Sequence, residues 1–203
     1  MLNEAASPIL AVTPGASPRR QAWAAPGWRC MTLDVATASP LVCAPALIIA
    51  APPEIVALTA ARDAQAPGVG LAVVGSAPTP PADDRIGANA PEADLVALLA
   101  RWRPLPLPDA LERQLATFGT AQILPLLVRL RERMVWSVST NTVVAREAAH
   151  QLAGIAGILG FTDVGAGWEA VSREGASARI DARRVTRRAI AAVDRSGLCA
   201  SLH

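Results

Sequence analysis

The stretch Ala148-Ala149-His150-Gln151-Leu152-Ala153-Gly154-Ile155-Ala156-Gly157-Ile158-Leu159-Gly160-Phe161 decides how the rest of the chain is read. Ala149, Leu152, Ala156 and Leu159 follow one another at the alternating three- and four-residue spacing of a buried helical stripe. His150 lies off that stripe. With about 100° of rotation per residue, Gly154 falls roughly 40° from His150 around the helix and Gly157 roughly 20°. Ala153 and Glu147 flank the same side. The histidine is therefore ringed by residues with almost no side chain, although each mid-helix Gly costs about 1 kcal/mol relative to Ala. Two readings follow. Either the bare face packs tightly against another helix and His150 is an ordinary satisfied histidine, or a partner needs close access to the backbone around a reactive imidazole.

Composition narrows the choice. At 203 residues the chain has room for one large or two small domains. It is 52% apolar and 18% charged, enough to bury a core, and its net charge of +2 is too small to argue for nucleic acid or a membrane surface. Cys30, Cys43 and Cys199 are odd in number and lack metal-ligand spacing, so a reducing cytoplasm is expected rather than a disulfide framework. The opening residues carry Glu4 and no basic region, unlike a secretory signal, and the apolar run 41–53 is cut by Pro45 and too short to span a bilayer. A soluble cytoplasmic protein without a membrane segment is expected. The second histidine is His203, which leaves no multi-histidine metal site and weakens any Ser/His/Asp arrangement. A hydrolase built on Ser76 or Cys43 lacks a second catalytic group at any recognisable spacing. No cofactor is expected.

The first half, residues 1–103, shows strand-length apolar runs at 8–12, 31–35, 46–50, 69–74 and, more weakly, 85–88. Helical patterns at 53–65 and 91–102 open with Pro and acidic residues, as helix N-termini prefer. Strands alternating with helices predict a parallel sheet with helices on its faces, two of them eroded in the Pro-rich connections. Gly68-Val69-Gly70 precedes a strand rather than linking strand to helix, so it is no dinucleotide fingerprint.

Pro104-Leu105-Pro106-Leu107-Pro108 excludes helix and predicts a stiff linker over 104–108. Beyond it, in 109–203, the period becomes 3.6. A lead helix is expected over 109–118, capped around Asp109 and stopped by Gly119. A second is expected over 120–137, with Ile123, Leu126, Leu127, Leu130 and Met134 inward and Arg129, Arg131, Glu132 and Arg133 outward. Ser139-Thr140-Asn141-Thr142 offer caps for a third helix that bears His150 mid-way and ends near Gly160. Two more follow at 162–173, with Val164, Trp168 and Val171 inward, and at 181–195, with Val185, Ala189, Ile190 and Val193 inward. Arg183, Arg184, Arg187 and Arg188 read as a solvated face. Short loops between such helices predict an antiparallel four-helix bundle with a short lead helix.

The stretch 148–161 resembles the phosphoacceptor helix of histidine phosphotransfer (HPt) domains, in which A-H-x-L-K-G-x-A-x-x-L-G is typical. Ala149, His150, Leu152, Gly154, Ala156, Leu159 and Gly160 match it, and Ala153 stands where the family usually carries Lys. The helix layout of 109–196 matches the same family. The resemblance implies a phosphorelay protein of two-component signal transduction, a phosphoryl carrier without autonomous catalysis. His150 is then the phosphoacceptor, and Arg146, Glu147, Gln151, Ala153, Gly154 and Gly157 form the partner-binding surround. The implied partners are response-regulator receiver domains, with a hybrid histidine kinase as a further candidate. The alternative is an adaptor that binds a kinase or receiver without carrying phosphate.

The strand and helix order of 7–103 resembles a degenerate receiver domain. Thr13-Pro14 occupy the place of the receiver's acidic pair, Ala50-Ala51 that of its phosphoacceptor Asp, and Asn89 that of its Lys, while Ser76 keeps the small hydroxyl. This pseudo-receiver is expected to bind no Mg²⁺ and to accept no phosphoryl group. An unrelated small α/β domain is the other reading of this half.

Overall fold

A computed structural model describes residues 7–16, 27–34, 45–75, 82–140 and 144–199. The expected roles of Ser76, Cys43 and His203, and the capping by Asn141 and Thr142, lie outside the described residues. The chain divides into two compact units, Met1–Pro104 and Leu105–His203.

The first unit is a five-stranded, wholly parallel sheet of order β2-β1-β3-β4-β5. Its strands are β1 (Ile9–Val12), β2 (Arg29–Thr32), β3 (Leu47–Ala50), β4 (Gly70–Val74) and β5 (Asp84–Ile86). Helix α1 (Ile55–Gln65) follows β3, and α2 (Glu92–Arg101) follows β5. Because side chains alternate along a strand, one face gathers Leu10, Val12, Leu47, Ile49 and Ala72 under Leu95, Leu98 and Trp102. The other gathers Ala11, Ile48, Ala50, Leu71 and Val73 under Ile55 and Leu58. Burial on both faces explains why β3 reads as an unbroken apolar run. Strand β2 lies at the sheet edge and is largely exposed, so it lacks that signature. It pairs over residues 29–32, two positions before the place the apolar run suggested. Gly70 opens β4 because the indole of Trp102 lies over it; a Cβ there would stand 2.4 Å from that ring. The Trp102 Nε1–H donates to Asp84 at 3.2 Å.

The second unit is helical: α3 (Asp109–Phe118), α4 (Thr120–Ser139), α5 (Arg146–Ile158), α6 (Thr162–Glu174) and α7 (Arg179–Ser196). Side chains of α3 to α7 build one core, including Leu127, Leu130, Met134, Leu152, Trp168 and Ile190. Helix α4 packs against α5, α5 against α6, α6 against α7, and α7 back against α4. Glycines set the closest approach, and they lie on α6. A Cβ on Gly165 would sit 3.2 Å from the Ala153 carbonyl oxygen of α5, and one on Gly167 would sit 3.1 Å from the Ala182 Cα of α7.

Several expectations need correction here. Pro108, not Asp109, caps α3, and Asp109 is its first residue. Leu126 is 46% exposed, because it lies off the stripe formed by Ile123, Leu127, Leu130 and Met134. Ser139 remains inside α4, and α5 starts only at Arg146, so His150 is the fifth residue of its helix rather than mid-way. The segment 104–108 is neither helix nor strand, and the boundary between the two units falls within it. Leu107 packs on the helical core, the guanidinium of Arg195 donates to the Leu105 carbonyl at 3.1 Å, and Pro108 and Ala110 lie against Gly160.

The arginines of α7 are not a solvated face either. Arg187 is fully buried and donates to the Val138 carbonyl at 3.1 Å, and Arg183 donates to the same oxygen. Arg179 donates to the Thr140 carbonyl at 2.7 Å. The last carbonyls of a helix have no partner within it and sit at its negative pole, so cations from a neighbouring helix satisfy both needs. Arg184, half-buried, pairs with Asp181 one turn earlier.

Candidate functional site

Helix α5 buries Ala149, Leu152 and Ala156, while Leu159 is buried just beyond its end. That orientation turns the His150 ring to the surface, where 71% of its side chain is exposed. Beside it the helix is bare. A Cβ built on Gly154 meets nothing within 4 Å, and the same holds for Gly157. Helix packing therefore gives no reason for a glycine at 154. At 157 the backbone itself is approached by Gly165 of α6, whose Cβ would lie 3.6 Å from the Gly157 nitrogen.

Ala153 does not share this open side. It is 8% exposed and belongs to the core, because its turn of α5 is the one that Gly165 abuts. Arg146 and Glu147 are both exposed in the first turn of α5. Gln151 is also exposed and bridges two charged groups: its amide oxygen accepts from Arg133 of α4 at 3.2 Å, and its amide nitrogen donates to Glu147 at 3.4 Å. A hollow of about 270 Å³ opens next to this bridge, lined by Arg133, Trp136, Val144, Ala148, Gln151 and Leu152. Trp136 is 54% exposed at its rim.

Two residues of this surface were not singled out from the sequence: Arg133, read only as part of an outward charged face, and Glu169. The Glu169 carboxylate of α6 lies 3.1 Å from His150 Nδ1. A signal for it exists. His150 stands ten positions before Gly160 and Glu169 nine after it, so a helix hairpin turning at that glycine brings them level. Glycine 160 has φ of 83°, a left-handed conformation that suits a residue without Cβ at such a turn.

The first unit also places a carboxylate at a point of interest. In open parallel sheets, ligands bind outside the carboxyl ends of the strands where the order reverses, here between β1 and β3. Glu54 lies there. Its carboxylate accepts from the buried Thr13 hydroxyl after β1 and from the Ala51 N–H after β3, the latter at 2.9 Å. Among the described residues no group of three or more His, Cys, Asp or Glu side chains is placed to hold a metal ion. Among them, too, no helix is long and apolar enough to cross a membrane.

Comparison with protein-family models, with curated proteins and with solved structures finds no match to this chain.

Proposed function

We propose that the helical unit is a histidine phosphotransfer module and that His150 carries the phosphoryl group, accepting it from and returning it to an aspartate of a receiver domain. The observation that carries this reading is the exposed imidazole beside a glycine that packing does not require. A carrier needs no base or metal of its own. The partner supplies both, and the histidine has only to enter the partner's site on a rigid mount, as catalysis of phosphoryl transfer is largely positioning and charge stabilisation. One imidazole nitrogen is an uncharged nucleophile near neutral pH. Gly154 leaves room for the partner's loops on the next turn. Arg133, Trp136, Glu147 and Gln151 offer contacts on the side facing α4, and Arg146 in the first turn is the nearest cation on α5 itself.

We read the first unit as a pseudo-receiver that serves as a docking or dimerising module. The strand order 2-1-3-4-5 supports this reading, since it belongs to the doubly wound class that includes receivers. The positions after β1 and β3 that would bear carboxylates hold Thr13 and Ala51, and Glu54 from the following turn occupies their hydrogen bonds.

The buried Ala153, where the family pattern has a cation, favours the second reading: an adaptor that binds a receiver without taking its phosphate. Incubating the full chain with a phosphorylated receiver separates the two. Acid-labile label on the wild type and none on His150→Gln supports the carrier; binding without label supports the adaptor.

A further inference from the structure

We propose that the helical unit holds a second site, a pocket that binds a small amphiphilic cation: an ammonium group on an apolar body the size of a ring and a short chain. The proposal stands whether or not His150 carries phosphate. The pocket measures about 360 Å³ and lies wholly within the second unit, where the segment 105–108 passes the first turns of α3 and α6 and one side of α7. A cavity of about 150 Å³ already holds a benzene ring, so there is room here for a ring with a short chain.

The pocket is apolar at its inner end and polar at its mouth. Phe161, Val164, Ala189 and Ala192 line it and are buried, whereas Asp109 and Asp163 line it and are exposed. Ala189 and Ala192 sit three apart on one face of α7, and their small side chains leave the space that larger ones would fill. Protein interiors close-pack, so a space of this size needs a wall that does not fall inward. The wall here is fastened at both ends: Arg195 donates to the Leu105 carbonyl at 3.1 Å, and Pro108 with Ala110 lies against Gly160. Pro106 and Pro108 stiffen the span between.

The charged side chains that line the pocket are both carboxylates. Asp109 is the first residue of α3 and Asp163 the second of α6. Each helix N-terminus carries about half a positive charge, which offsets only part of a full carboxylate charge. Asp163 also acts on Arg188, a half-buried guanidinium of α7 that does not line the pocket. Asp109 is thus left as the anion that a ligand's ammonium meets. The apolar body is buried against Phe161 and the alanines while the ammonium stays hydrated in the mouth, the division that such a ligand needs. An anion of the same shape would meet like charge there.

Calorimetric titration of the full chain at low ionic strength, with 2-phenylethylamine and with its anionic counterpart 3-phenylpropionate, tests this. The amine should bind at least about fivefold more tightly than the carboxylate, and the gap should narrow as salt screens the mouth. Ala189→Leu fills the inner end and should weaken the amine roughly tenfold, the value of about two CH₂ groups denied burial. Asp109→Asn, on the surface, should weaken it about two- to fivefold, the scale of an exposed ion pair, and Asp163→Asn less. Melting temperatures report whether each variant folds; if Ala189→Leu does not, Asp109→Asn still decides. Equal binding of amine and carboxylate, no binding of either, or an amine affinity that Asp109→Asn leaves unchanged overturns the proposal. So does concentration-dependent dimerisation that Ala189→Leu abolishes, because the occupant would then be a second copy of this chain.

Discussion

The two units treat a potential reaction centre in opposite ways. At the carboxyl ends of β1 and β3 the first unit has drawn its own side chain into the crevice: Glu54 takes the Thr13 hydroxyl and the Ala51 N–H. On α5 the second unit leaves the side of His150 next to Gly154 unfilled, with the ring exposed and nothing within 4 Å of a Cβ built on Gly154. At the switch point of the sheet the polar groups thus satisfy one another. The feature on which the proposed function rests is an imidazole left accessible beside space that a larger side chain could fill.

That contrast can be broken by experiment, and the largest effect is expected at Gly154. Gly154→Trp has room to fold, so its melting temperature should match the wild type, but an indole beside His150 should hold a partner off and cut transfer by at least about 100-fold, the scale set by small misplacements. Equal transfer rates would show that the open face is not the docking face. Next in size are the glycines that packing does require. Gly165→Ala puts a methyl 3.2 Å from the Ala153 carbonyl oxygen and should cost about 1–3 kcal/mol in urea denaturation. Gly154→Ala meets nothing, so it should stabilise the protein by about 0.5–1 kcal/mol through helix propensity and leave transfer active. Opposite signs for these two alanines sharpen the comparison; the same sign removes it. The smallest expected effect concerns the first unit, where Mg²⁺ titration by calorimetry should give no heat of binding and acetyl phosphate should leave residues 1–104 unlabelled.

Legibility in the sequence followed burial. Strands β1, β3 and β4 have their apolar side chains covered on both faces, and they stand where their runs predicted. The stripe Ala149, Leu152, Ala156 and Leu159 is buried for the same reason. What escaped detection depends on partners distant in sequence. Strand β2 is defined by pairing with β1 at the sheet edge rather than by apolar content. Arg187 looks like a surface residue in a polar helix, yet it is drawn inward by the carbonyl at the end of α4. Glu169 carries no local motif, and only the hairpin geometry about Gly160 sets it against His150. Ala153 looked like part of the bare face, but the close approach of α6 claims it for the core.

The central claim is that the imidazole of residue 150 takes up the phosphoryl group of a receiver. Phosphorus-31 NMR of the full chain after incubation with a phosphorylated receiver tests it most directly. The account predicts one acid-labile signal, coupled to Nε2 of His150 and absent from His150→Gln. A wild type that binds the phosphorylated receiver yet shows no such signal, or a signal that survives in His150→Gln, would contradict it.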